Sequence, residues 1–127
     1  MKILLDTHTV IWMALNSPLL TERARGFIFD EKNTSFVSIA SAWEVSIKSS
    51  LGKLRLDGGV SEFLRIIEVN GITILPINPE YIKQVEALPF HHRDPFDRML
   101  VATAMLEGIP LLSADDIIPK YNISVIW

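Results

Sequence analysis

Short apolar runs separated by longer segments of helical period recur along the whole chain. This alternation admits few folds, because parallel strands need crossovers of a dozen or more residues and helices supply them. The runs Lys2–Asp6, Ser35–Ser38, Ile72–Leu75, Pro110–Ser113 and Ile123–Ile126 read as strands. Between them the pattern predicts a helix over His8–Asn16, ended by Pro18, and another from the cap Thr21 through Glu31. Further helices are expected over Ala40–Leu51, stopped by Gly52, and over Val60–Asn70, where Phe63, Leu64, Ile66 and Ile67 share a face. Asn78-Pro79 opens a helix that ends before Pro89, and Asp94-Pro95 opens one that ends at Gly108. The expectation is one α/β domain over residues 1–127 with a mainly parallel sheet of about five strands, and no internal repeat or linker divides it.

With 127 residues, 49% of them hydrophobic, the chain has enough apolar side chains for one domain core. No apolar stretch approaches the roughly 18 residues of a membrane span, so none is expected. Acidic Asp6 follows the first apolar residues too soon for a signal peptide, and a cytoplasmic location is the expectation. Without cysteine there is no disulfide and no thiolate zinc site, so any metal must be held by oxygen or by the three histidines. The net charge of −3 argues against bulk attraction to nucleic acid, although a local basic rim beside an acidic cluster is compatible with it.

In an open parallel sheet ligands bind beyond the C-terminal ends of the strands, near the point where strand order reverses. That rule selects Asp6, which closes the first strand, and Asp115, just past the fourth. It also selects Glu44, early in the helix after the second strand, and Asp94 and Asp97, at the start of the helix leading into the fourth. Carboxylates gathered about 4 Å apart repel by roughly 4 kcal/mol per pair at an effective dielectric near 20, so such a ring needs protons or a divalent cation. Mg²⁺ and Mn²⁺ favour oxygen ligands and suit phosphodiester hydrolysis. Each acid also has a plain structural reading. Asp6, Asp94 and Asp115 or Asp116 fit helix or turn caps, Asp97 the third-position partner of Asp94, and Glu44 a surface pair with Lys48. Thr7 and Ser113 can hydrogen-bond a ligand, or serve as caps. A haloacid-dehalogenase-type phosphatase is a poorer match, since Asp6-Thr7-His8 lacks the second acid and no glycine-rich loop follows.

Four stretches carry a resemblance: Ile3-Leu-Leu-Asp-Thr-His8, Ser38-Ile-Ala-Ser-Ala-Trp-Glu44, His92-Arg-Asp-Pro-Phe-Asp-Arg-Met-Leu-Val-Ala-Thr-Ala104 and Pro110-Leu-Leu-Ser-Ala-Asp115. Over essentially its whole length the chain resembles the PIN domains, specifically the VapC ribonuclease toxins of type II toxin–antitoxin systems. The resemblance implies a three-layer α/β/α sandwich and Mg²⁺- or Mn²⁺-dependent RNA cleavage. It implies an acidic quartet at Asp6, Glu44, Asp97 and Asp115, with Asp94 as a nearby accessory acid. Asp97 matches the family acid before the apolar helix better than Asp94 does, and Asp115 is preferred to Asp116. A protein antitoxin covering a groove near the first helices, and a homodimer, are implied in the same way.

His91, His92, Arg93 and Arg98 beside the acids, and Lys48, Lys53 and Arg55 after Glu44, are candidate RNA contacts or a solvated mixed surface. Adjacent His91 and His92 diverge in a regular strand, so the expected metal site is all oxygen. Of Trp12, Leu15, Leu19, Leu20, Leu54, Leu56 and Trp127, most are expected in the core. Alternatives from other classes are a non-catalytic PIN-type module that binds RNA or protein, and a phosphohydrolase of small phosphoesters.

Overall fold

Ile3, Leu4 and Leu5 are completely buried, and the strand that carries them is the centre of the molecule. In the computed structural model, which describes residues 1–127, the strands are β1 (Lys2–Leu5), β2 (Thr34–Ser38), β3 (Thr73–Leu75), β4 (Leu111–Leu112) and β5 (Val125–Ile126). They form one sheet in the order β3-β2-β1-β4-β5, and all four pairings are parallel. Leu4 stands opposite Phe36 on β2 and opposite Leu111 on β4, which sets the register of the centre. The helices are α1 (Thr7–Ala14), α2 (Glu22–Phe29), α3 (Ile39–Ser50), α4 (Gly59–Val69), α5 (Pro79–Ala87) and α6 (Pro95–Glu107).

Side chains alternate across a strand, so β1 feeds two cores. Ile3 and Leu5 join Val10 and Ile11 of α1, Ala24 and Ile28 of α2, Ala42 and Val45 of α3, and Phe63 and Ile67 of α4. Leu4 joins Leu88, Leu100 and Val101 with Ile118 and Tyr121 on the opposite face. Helices therefore cover both sides of the sheet, and the expected α/β/α sandwich is present, with every strand parallel.

The predicted elements appear at or within a few residues of their expected limits, and their caps explain the ends. Thr21 accepts from the Ala24 amide, Asn78 from the Tyr81 amide and Asp94 from the Asp97 amide. Gly108 ends α6 at φ +63°, a left-handed conformation that suits glycine. The strands β4 and β5 are each two residues shorter than expected, and between them Ile118–Tyr121 folds into a 3-10 turn that takes Ile118 and Tyr121 into the second core. Of the apolar residues in question, Leu20 and Leu56 are buried and Trp12, Leu54 and Trp127 pack against the first core, whereas Leu15 and Leu19 are exposed.

Phe63 is the largest fully buried side chain and anchors α4 to the first core. Phe63→Ala is expected to lower the free energy of unfolding by about 3–5 kcal/mol, read from urea unfolding curves of the purified chain.

Candidate active site

The strand order turns back between β1 and β4, because the chain builds outward to β3 and then returns to the other side of β1. An open pocket of about 240 Å³ lies at this point, lined by Asp6, Glu44, Asp94, Asp97 and Asp115 with Lys48, His8, Thr9, Trp12 and Ala114. All five acids selected from the sequence thus reach one place. Asp116 is exposed and lines no part of this pocket.

Asp6 is held by backbone and side chain together. Its amide donates to the Leu112 carbonyl at 3.0 Å, one step beyond the ladder of β1 with β4. One carboxylate oxygen accepts from the His8 amide at 3.3 Å and caps α1. The other accepts from the Ser113 hydroxyl at 2.5 Å, and that hydroxyl in turn accepts from the Asp115 amide at 3.1 Å. Ser113 therefore ties the acids of β1 and β4 together. Thr7 is turned away from the pocket and donates to Ser41.

Glu44 is 3% exposed, so the pair it makes with Lys48 at 2.6 Å is no ordinary surface pair. Its second oxygen is buried without a hydrogen-bond partner, an unsatisfied acceptor of the kind a protein interior rarely keeps. Asp94 caps α6, and Asp115 accepts from the Ile117 amide, so both capping readings hold alongside a place in the pocket. As the side chains lie, no three of these groups already surround a single point as metal ligands.

Charge is concentrated here. Burial raises the Asp6 carboxyl above its usual range, against the opposing pull of Ser113 and His8. Asp97 is pushed up to about 8, first by burial and then by Asp94, Asp6, Glu44 and Asp115. Burial works against the Lys48 ammonium, yet Glu44 and the charges of Asp94 and Asp97 prevail and raise it. Five acids against one lysine, with a buried orphan oxygen among them, form a donor set that fits a hard divalent cation.

The basic rim differs from expectation at Arg98, which is 4% exposed and does not face the pocket. Its guanidinium donates to the Val85, Leu88 and Pro89 carbonyls and to the Tyr121 hydroxyl, with the Phe90 ring stacked 4.2 Å away. Helix ends leave carbonyls without donors, and Pro89 has no N–H to give. Arg98 thus caps α5. His91 and His92 lie in the loop before α6, and both rings pack on Tyr121 instead of diverging as in a strand. Sequence reasoning missed this role of Tyr121 and the linking role of Ser113, since each depends on partners far away along the chain.

The chain belongs to the PIN domain family, whose family model matches residues 3–123. Among solved structures, VapBC2 from Rickettsia felis bound to a DNA fragment from their promoter has a TM-score of 0.73 at 12% identity, covering 99% of this chain and 98% of that one. DNA-bound VapBC from Salmonella typhimurium has 0.71 at 16%, covering 99% and 97%. VapBC-5 from Mycobacterium tuberculosis, a member of a family of toxin–antitoxin systems, has 0.63 at 16%, covering 98% and 97%. At these identities the likeness is one of fold. No curated protein sequence matches the chain.

Because folding raises the Asp97 carboxyl from 3.8 to about 8, the folded chain keeps a proton that the unfolded chain releases. Its contribution to stability is therefore lost as pH rises from about 4 to about 8. In metal-free buffer, calorimetry should show the wild-type unfolding temperature falling across this window more steeply than that of Asp97→Asn.

Proposed function

We propose that this PIN-domain chain is a Mg²⁺- or Mn²⁺-dependent endoribonuclease and the toxin of a type II toxin–antitoxin pair. The observation that carries this reading is the convergence of Asp6, Glu44, Asp94, Asp97 and Asp115 on one open pocket with Lys48 as the only ammonium or guanidinium. Asp6, Glu44, Asp97 and Asp115 would hold the ion, with Asp94 beside them. When bound there, such an ion supplies Lewis-acid activation of water and of phosphate oxygens.

The chain's own groups do the rest. Ser113 fixes the Asp6 carboxylate by hydrogen bonding, and the backbone bond to Leu112 fixes its position. Lys48 neutralises Glu44 and is part exposed, so it is placed to meet a backbone phosphate at the mouth. A neighbouring recess of about 160 Å³ shares His8, Glu44 and Lys48 with the pocket and adds Lys53, which extends the cationic wall along a path an RNA strand can follow. The pocket is open to solvent, which suits an extended strand passing across it better than a small phosphoester held on all sides.

Support for a protein partner comes from the solved relatives, which are VapBC complexes, and from a toxin–antitoxin complex of Klebsiella pneumoniae with a TM-score of 0.64. The cognate antitoxin is part of this proposal on that analogy, and a homodimer is part of it on the family resemblance alone. No helix is long and apolar enough to cross a membrane. A cytoplasmic location belongs to the same proposal.

Purified protein with structured RNAs and Mg²⁺ or Mn²⁺ is expected to cleave RNA. Chelator should abolish the cleavage, and Asp6→Asn should slow it at least about a hundredfold, the scale of a lost charge-stabilising group. Cleavage that persists unchanged in chelator or in Asp6→Asn removes this reading.

A further inference from the structure

Arg98, Tyr121 and His92 form a chain of contacts that ends on Asp97, yet none of the three lines the acidic pocket. The hub is the Tyr121 hydroxyl, on a residue only 3% exposed. It accepts from Arg98 Nη1 at 3.3 Å and from the His92 amide at 3.2 Å. Two donors occupy the lone pairs of a hydroxyl oxygen. Its own proton then has two acceptors in reach, the His92 carbonyl at 3.3 Å and His92 Nδ1 at 2.6 Å, and the much shorter contact assigns it to Nδ1, so the phenol O–H donates and Nδ1 accepts. A neutral imidazole that accepts at Nδ1 carries its proton on Nε2. His92 Nε2 is buried, has no hydrogen-bond partner, and stands 3.4 Å from Asp97 Oδ2.

We infer that Arg98, Tyr121 and His92 act as a relay that fixes His92 as the Nε2–H tautomer and thereby orients the Asp97 carboxylate. The inference rests on the reading of the pocket as a divalent-cation site. His92 is a positioning residue: its buried, unpartnered Nε2 faces Asp97 Oδ2 at 3.4 Å, so its N–H is placed to take up that oxygen and leave the other for a ligand. Groups that hydrogen-bond a ligating carboxylate tune affinity without touching the ion. The permanent charge of Arg98 sets the direction of the chain, because a guanidinium has no acceptor and can only donate. The His91 ring, 4.7 Å from that of Tyr121 and nearly perpendicular to it, helps confine the hub. A loop between α5 and α6 thus becomes part of the site although its histidines lie outside the pocket.

The tautomer can be read directly by long-range proton–nitrogen correlation on full-length protein labelled at histidine nitrogen, at about pH 9, where Asp97, pushed up to about 8, is ionised and an ordinary imidazole is neutral. His92 is expected to be protonated on Nε2 in the wild type and to lose that preference in Tyr121→Phe. Protonation on Nδ1 in the wild type, or a tautomer unaffected by Tyr121→Phe, overturns the relay. Calorimetric titration with Mn²⁺ is expected to show affinity weakened about ten- to a hundredfold in Tyr121→Phe and His92→Phe. His92→Gln, whose amide nitrogen can replace Nε2, should retain most of it, and kcat should follow the same order with KM unchanged. Equal Mn²⁺ affinities in all four proteins overturn the inference while leaving the nuclease reading intact. A wild type that binds no Mn²⁺ overturns the cation site itself, and the tautomer measurement then decides the relay alone.

Discussion

The central strand β1 is packed from both sides, with Ile3 and Leu5 in one core and Leu4 in the other, all fully buried. A strand in this position cannot shift register without exposing one apolar set and burying polar groups in the other layer. Its neighbours are equally constrained, since β2 and β4 pair with it on either side. The first residue past its end is therefore delivered to a fixed place at the C-terminal edge of the sheet. That residue is Asp6.

The charge density of the pocket is itself a product of this packing. The helices that bury β1 also bring Glu44 on α3 and Asp97 on α6 to the same edge, while Asp115 arrives from the end of β4. Burial and like charge together raise the Asp97 carboxyl, and neither effect arises from any single element. The fold keeps the acids near one another by short tethers: Ser113 between Asp6 and the Asp115 amide, and Lys48 on one oxygen of Glu44. The other oxygen of Glu44 has no such tether. A cluster built this way holds its charge in tension, which a hard cation relieves.

On the opposite face one buried guanidinium organises the approach to the site. Arg98 gathers three carbonyls at the end of α5 and the Tyr121 hydroxyl of the 3-10 turn, and so fastens the loop that carries His92 and leads into Asp94. The second core and the acidic pocket are thereby linked through a single residue, four positions after the cap of α6.

Much of this was legible in local pattern. Alternating apolar runs and helical periods specified the parallel sheet, and Thr21, Asn78-Pro79, Asp94-Pro95 and Gly108 marked helix ends, because caps depend on neighbours a few residues away. The rule for strand ends picked out all five pocket acids. Every role that depends on residues far apart in the chain stayed hidden: Ser113 reaching Asp6, Arg98 turned inward to α5, and the His rings meeting on Tyr121. The sequence by itself determined which segments form helices and strands and which carboxylates sit at their ends, since these depend on short-range sterics and periodicity. Only the tertiary structure decided which charges are buried and which donors meet which acceptors, because desolvation and hydrogen-bond partnership are properties of surroundings assembled from distant parts of the chain.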